Sequence, residues 1–82
     1  MPIAPHILVE SVNDEVLLVD TQTSKCFSLT GSAAVIFHAY NADGQAAAAR
    51  LLVKKYGISM ELAEQDVASL LAELHQARIL VP

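Results

Sequence analysis

Three histidines, one cysteine and a few carboxylates are the side chains here that could bind metal or perform catalysis. His6, His38 and His75 stand in separate parts of the chain, and zinc needs several ligands converging on one point, so no metal site is expected. Cys26 is the single cysteine, which excludes an internal disulfide and a cysteine-based cage. Cys26 and His75 would form a reactive thiolate pair if a strand and a helix brought them together. The sequence offers no orienting group for such a pair, and a small apolar Cys on a strand is the reading taken. Asp14, Glu15 and Asp20 flank a strand, where charge keeps the strand ends solvated rather than doing acid-base work. Gly31, Gly44 and Gly57 stand singly at expected helix ends, so no phosphate-cradling loop is present. These residues imply no cofactor and no enzymatic activity.

The elements that would position them begin with period-2 sequence. Ile7 to Val12 and Glu15 to Asp20 are apolar and β-prone, and Asn13-Asp14 between them tolerates tight-turn geometry. Thr21 to Ser24 is a polar connection. Lys25-Cys26-Phe27-Ser28-Leu29 then alternates, with Phe27 and Leu29 on one face and Cys26 and Ser28 on the other. Strands joined by short turns are usually neighbours, which makes the second strand central and the third an edge with free outer backbone groups.

Beyond Leu29 the period becomes helical. Thr30-Gly31-Ser32 offers a cap, and Ala33, Ile36, Phe37 and Tyr40 recur at helix spacing until Asn41-Ala42-Asp43-Gly44 interrupts them. A second, Ala-rich helix starts at Gln45. Leu51 and Leu52 mark its inward side, Lys54 and Lys55 suit its negative end, and Gly57 caps it. Ser59 caps a third helix with Glu61 and Glu64 near its start. Ala63, Val67, Leu70, Leu71 and Leu74 form its apolar stripe. Ile79-Leu80-Val81 is a tail that packs on the core or adds a minor strand. The order predicts an α+β fold, winged helix-turn-helix-like, with a three-stranded antiparallel sheet followed by three helices.

Composition sets the outer limits. Eighty-two residues make one domain, 1–82, and 54% hydrophobic against 17% charged residues is too apolar for a disordered chain. A chain this short buries about 60% of its unfolded surface, so its core is small or is completed by a partner. No run of about 18 apolar residues occurs. Met1-Pro2-Ile3-Ala4-Pro5-His6 carries no basic leader, so neither a membrane span nor a signal peptide is expected and the expected compartment is cytoplasmic.

Net charge is −4, the wrong sign for holding phosphate backbones. A winged-helix DNA-binding regulator is the first alternative, because such folds read the major groove through the third helix. Here that helix carries Glu61, Glu64, Asp66 and Glu73, with no Lys or Arg from Ile58 to Ala77. Arg50, Lys54 and Lys55 are explained by the end of the second helix. A generic interaction or dimerisation module is the second alternative, its apolar sheet face from Val16 to Val19 packing on a second copy as a homodimer.

Leu17-Leu18-Val19-Asp20, a polar turn, then Cys26-Phe27-Ser28-Leu29 is similar to the pattern of the peptide-recognition family typified by pyrroloquinoline quinone biosynthesis protein D. The resemblance continues through Ala33-Ala34-Val35-Ile36-Phe37, Asp43-Gly44, Leu51, Tyr56-Gly57, Asp66-Val67 and Leu70 to Leu74, spanning Leu17 to Val81. Thr30-Gly31, the Ala-rich second helix, and Ala63 with Asp66-Val67 look most like the stand-alone leader-binding proteins of lasso-peptide clusters. Two positions depart from the pattern. Thr30 stands where the family often has Asn, and Arg78 stands where it usually has a left-handed Gly, so the exit from the third helix is expected to differ.

The resemblance implies a non-catalytic chaperone that captures the leader segment of a ribosomally made precursor peptide. It would present that peptide to a processing protease or other modifying enzyme. An extended peptide would pair with the third strand, with its side chains between that strand and the third helix. By analogy the strand side is Lys25, Cys26, Phe27, Ser28 and Leu29, and the helix side is Val67, Leu71 and Leu74. Periodicity alone reads Phe27, Leu29, Val67 and Leu74 as core. Glu64 and Glu73 are expected to attract a basic residue of the leader.

Overall fold

Asn13 makes the first turn possible, because a two-residue hairpin loop needs positive φ and Asn13 sits at φ 56°. It joins β1 (Ile7–Val12) to β2 (Glu15–Asp20) antiparallel, with Val12 opposite Glu15 and Ile7 opposite Asp20. The computed structural model describes residues 3–81. Thr21 to Ser24 then return the chain into β3 (Cys26–Leu29), which pairs antiparallel with β2, Val16 facing Leu29 and Val19 facing Cys26. Asp20 holds this loop through Oδ1, which accepts the N–H groups of Gln22 at 2.9 Å and Thr23 at 3.1 Å. The strand order is β1-β2-β3, so β2 is central and β3 lies at an edge.

Alternation along β2 sorts the sheet into two faces. Val16 and Leu18 are fully buried against the helices, while Leu17 and Val19 turn to the opposite face beside exposed Leu8 and Val12. A single exposed apolar face from Val16 to Val19 is therefore corrected, because a strand delivers only alternate residues to either side.

The helices are α1 (Ser32–Asp43), α2 (Gln45–Tyr56) and α3 (Met60–Gln76). Gly31 occupies the N-cap of α1 without a side-chain hydrogen bond, so the hydroxyl cap expected from Thr30-Gly31-Ser32 is not made. The helix also runs through Asn41-Ala42-Asp43, where a break was expected, and stops at Gly44. That residue alone separates α1 from α2, at φ 94° and ψ −179°, a region essentially restricted to glycine. Ser59 caps α3 by accepting the Leu62 N–H at 3.1 Å.

The core gathers Val16 and Leu18 from the sheet, Phe37 from α1, Leu52 from α2 and Val67 from α3, all fully buried. Each such burial is worth about 1.5 to 3 kcal/mol. The α3 stripe Ala63, Val67, Leu70, Leu71 and Leu74 is buried as expected. Leu51 is not. It lies 38% exposed while Leu52 is 1% exposed, because adjacent helix residues diverge by about 100° and cannot share one inward face.

Behind α3 the tail does both things expected of it. Ile79 and Leu80 are buried, Ala4 donates its N–H to the Ile79 carbonyl at 2.8 Å, and Leu80 forms an isolated antiparallel bridge with Ile3. Among the described residues, no helix is long and apolar enough to cross a membrane.

Candidate functional site: an open strand edge beside a cleft

Hydrogen-bond alternation decides which way each residue of β3 turns its backbone. Asp20 donates its N–H to the Lys25 carbonyl at 2.8 Å, and in an antiparallel ladder every second residue bonds to the same neighbour. Phe27 and Leu29, opposite Leu18 and Val16, therefore bond inward to β2. Cys26 and Ser28 turn their N–H and C=O groups to the open side. Their side chains are exposed, as is Lys25, while Phe27 and Leu29 are half-buried and pack against the core.

Helix α3 packs on α2, and β3 packs on β2. Between β3 and α3 lies a cleft of about 740 Å³, with Lys25 and Phe27 on the strand side, His75, Gln76 and Arg78 on the helix side, and Leu80 between. A smaller hollow of about 310 Å³ lies further along α3, lined by Asp66, Ser69, Leu70 and Glu73 opposite Ser32 and Ala33. Asp66, Ser69, Glu73 and Gln76 recur at three- and four-residue steps, one continuous face of α3.

The residues expected on the helix side lie on the neighbouring, inward face. Val67, Leu71 and Leu74 are 0%, 4% and 4% exposed and belong to the core. From α3 the cleft is lined by His75 and Gln76, and the separate hollow by Asp66, Ser69, Leu70 and Glu73. Glu64 lines a hollow between α2 and α3 with Arg50 and Met60, and Glu73 lines the hollow that faces α1.

The remaining chemistry-bearing residues are spread out. Cys26 shares the outer sheet face with Val19, so it points away from the cleft that His75 lines. His38 on α1 lies 3.4 Å from the Ser11 hydroxyl. His6 Nε2 lies 3.7 Å from Asp20 Oδ2 at the end of the cleft. Burial alone would raise the Asp20 carboxyl, but the N–H groups of Thr23 and Gln22, with His6, outweigh it and hold it below its ordinary 3.8. Among the described residues, no group of three or more His, Cys, Asp or Glu side chains is arranged to hold a metal ion.

A three-stranded sheet with one open edge and three helices, with a cleft between that edge strand and the end of the third helix, define a winged helix-turn-helix domain. The family model for coenzyme PQQ synthesis protein D (PqqD) matches residues 15–80, and the chain belongs to this family. No curated protein matches it. Two solved structures share its fold. One is TbiB1 in complex with the TbiA(beta) leader peptide, at TM-score 0.88 and 20% identity, covering 96% of this chain and 93% of that one. The other is lasso peptide synthetase B1 complexed with the leader peptide, at TM-score 0.89 and 24% identity, covering 99% and 96%.

Proposed function

We propose that this domain captures the leader segment of a ribosomally made precursor peptide by strand addition along β3. The observation that carries the reading is the outward backbone of Cys26 and Ser28 beside the cleft against α3. Main-chain bonds to that edge give affinity, and side chains of the incoming segment settle alternately toward the cleft. Both solved structures of like fold are complexes with leader peptides, which supports the same class of ligand for this chain.

The domain acts as a non-catalytic carrier that delivers the peptide to a processing enzyme, a lasso-peptide leader peptidase being the favoured recipient. Capture is tested by titrating the leader of the precursor encoded beside this chain's gene into isotope-labelled protein and mapping the shifted amides. Shifts concentrated at Lys25 to Leu29 and along Asp66 to Gln76 are expected. Shifts confined to α2 overturn the reading.

A further inference from the structure

Lys25 and Arg78 line the same cleft, one from the strand side and one from just past the end of α3. Of the five Lys and Arg residues in this acidic chain, Arg50, Lys54 and Lys55 lie on α2, where the last two suit the negative helix end. The other two meet here. Neither ammonium nor guanidinium has an ion-pair partner among the described residues.

Arg78 also holds φ 61°, a conformation that glycine adopts freely and arginine does not. A residue kept where its backbone is strained, with its charge at a cleft mouth, calls for a use of that charge. Among the described residues, Asp20 is the one carboxylate on the same wall, so the two cations outnumber it. Asp20 Oδ1 already accepts from Gln22 and Thr23, and its Oδ2 faces His6. Further along α3, Asp66 and Glu73 line the separate hollow that faces Ser32 and Ala33 of α1.

Resting on the peptide-capture reading above, we propose that the cleft and the hollow further along α3 together read charge order. Lys25 and Arg78 together hold an acidic side chain of the bound extended segment, and Asp66 and Glu73 hold a basic one. From Asp66 to Gln76 the helix rises about 15 Å at about 1.5 Å per residue. An extended chain covers that in about four to five residues at about 3.3 Å each. A spacing of about four places both charged side chains on one face of the segment. The pattern selected is thus an acid and a base about four residues apart, with apolar residues between them toward Phe27 and Leu70.

The test is a display selection of random peptides, about sixteen residues long, on the immobilised full chain, repeated with the Lys25→Glu/Arg78→Glu double variant. Parent protein is expected to enrich binders with an acid and a base about four positions apart. Those binders should lose about tenfold in affinity against the double variant and regain it when their acid is changed to lysine. Arg78→Gly removes the charge while relaxing the backbone, so it serves where the double variant fails to fold, and it too should weaken acidic binders. Enriched extended binders without this charge pattern, or with unchanged affinity for Arg78→Gly, overturn charge reading and leave peptide capture standing. Failure to enrich any binder overturns peptide capture, and the charge reading with it.

Discussion

Ile79 donates its N–H to the Leu74 carbonyl at 2.9 Å, and this bond fixes where the chain leaves α3. Arg78 donates to His75 at 3.0 Å within the same motif, which is the Schellman ending, with the left-handed position filled by arginine instead of glycine. The exit expected to differ at Arg78 keeps the glycine geometry and carries strain in its place. Through it Ile79 and Leu80 reach the core and the Ile3 bridge, closing one end of the cleft.

Arg78→Gly should therefore stabilise the domain. The left-handed penalty on arginine is about 1 to 2 kcal/mol, and the extra chain entropy of glycine takes back about 0.5 to 1 kcal/mol. A net gain of about 0.5 to 1 kcal/mol is expected in urea unfolding. A loss of stability would mean that the guanidinium makes contacts that outweigh its strain.

Proline substitution separates the two sides of β3. Ser28→Pro removes an N–H that points away from β2, so stability should change by less than about 1 kcal/mol, as tolerated at sheet edges. Leader-peptide affinity should fall at least about tenfold with the lost main-chain bond. Phe27→Pro removes an inward ladder bond and a packed ring together, and about 3 kcal/mol or more of stability should go with them. Equal binding by Ser28→Pro and the parent chain, read by fluorescence anisotropy, would count against strand addition.

Acid should weaken the loop that starts β3. The Asp20 carboxyl lies below its ordinary 3.8 in the folded chain because the backbone donors and His6 outweigh its burial. A lowered folded pKa gives stability that is present above the unfolded value and is lost as pH falls through the folded one. Asp20→Asn should be less stable than the parent above pH 3.8, with the gap closing as the pH drops below it. Urea unfolding across that range measures the difference, and a gap that persists or widens in acid reverses the sign argued here.

Two substitutions on adjacent faces of α3 should behave differently. Leu71→Ala opens space in the core and should cost about 2 to 5 kcal/mol of stability. Peptide affinity should survive it at temperatures where the variant stays folded. Glu73→Lys lies exposed at the hollow facing α1 and should leave the thermal midpoint within a few degrees, since surface changes are usually within about 0.5 kcal/mol. Its binding should shift with salt. The opposite assignment, affinity lost in folded Leu71→Ala and untouched in Glu73→Lys, would return the buried stripe to the binding face.

Local signals in the sequence were enough for the elements and their order. Asn13 marked the hairpin, Gly44 and Gly57 marked helix ends, Ser59 marked the start of α3, and alternation from Cys26 to Leu29 marked an edge strand. These are short-range effects, set by backbone sterics, capping and period within a few residues. Leu51 shows their limit, since neighbouring apolar residues on a helix do not disclose which one turns inward. The cleft was beyond such signals. Period shows that Asp66, Ser69, Glu73 and Gln76 share a face, but that α1 stands opposite the first three while the cleft to β3 opens at Gln76 is set by tertiary packing. That gap, and the meeting of Lys25 with Arg78 across more than half the chain, arise from packing between distant segments, which no local pattern encodes.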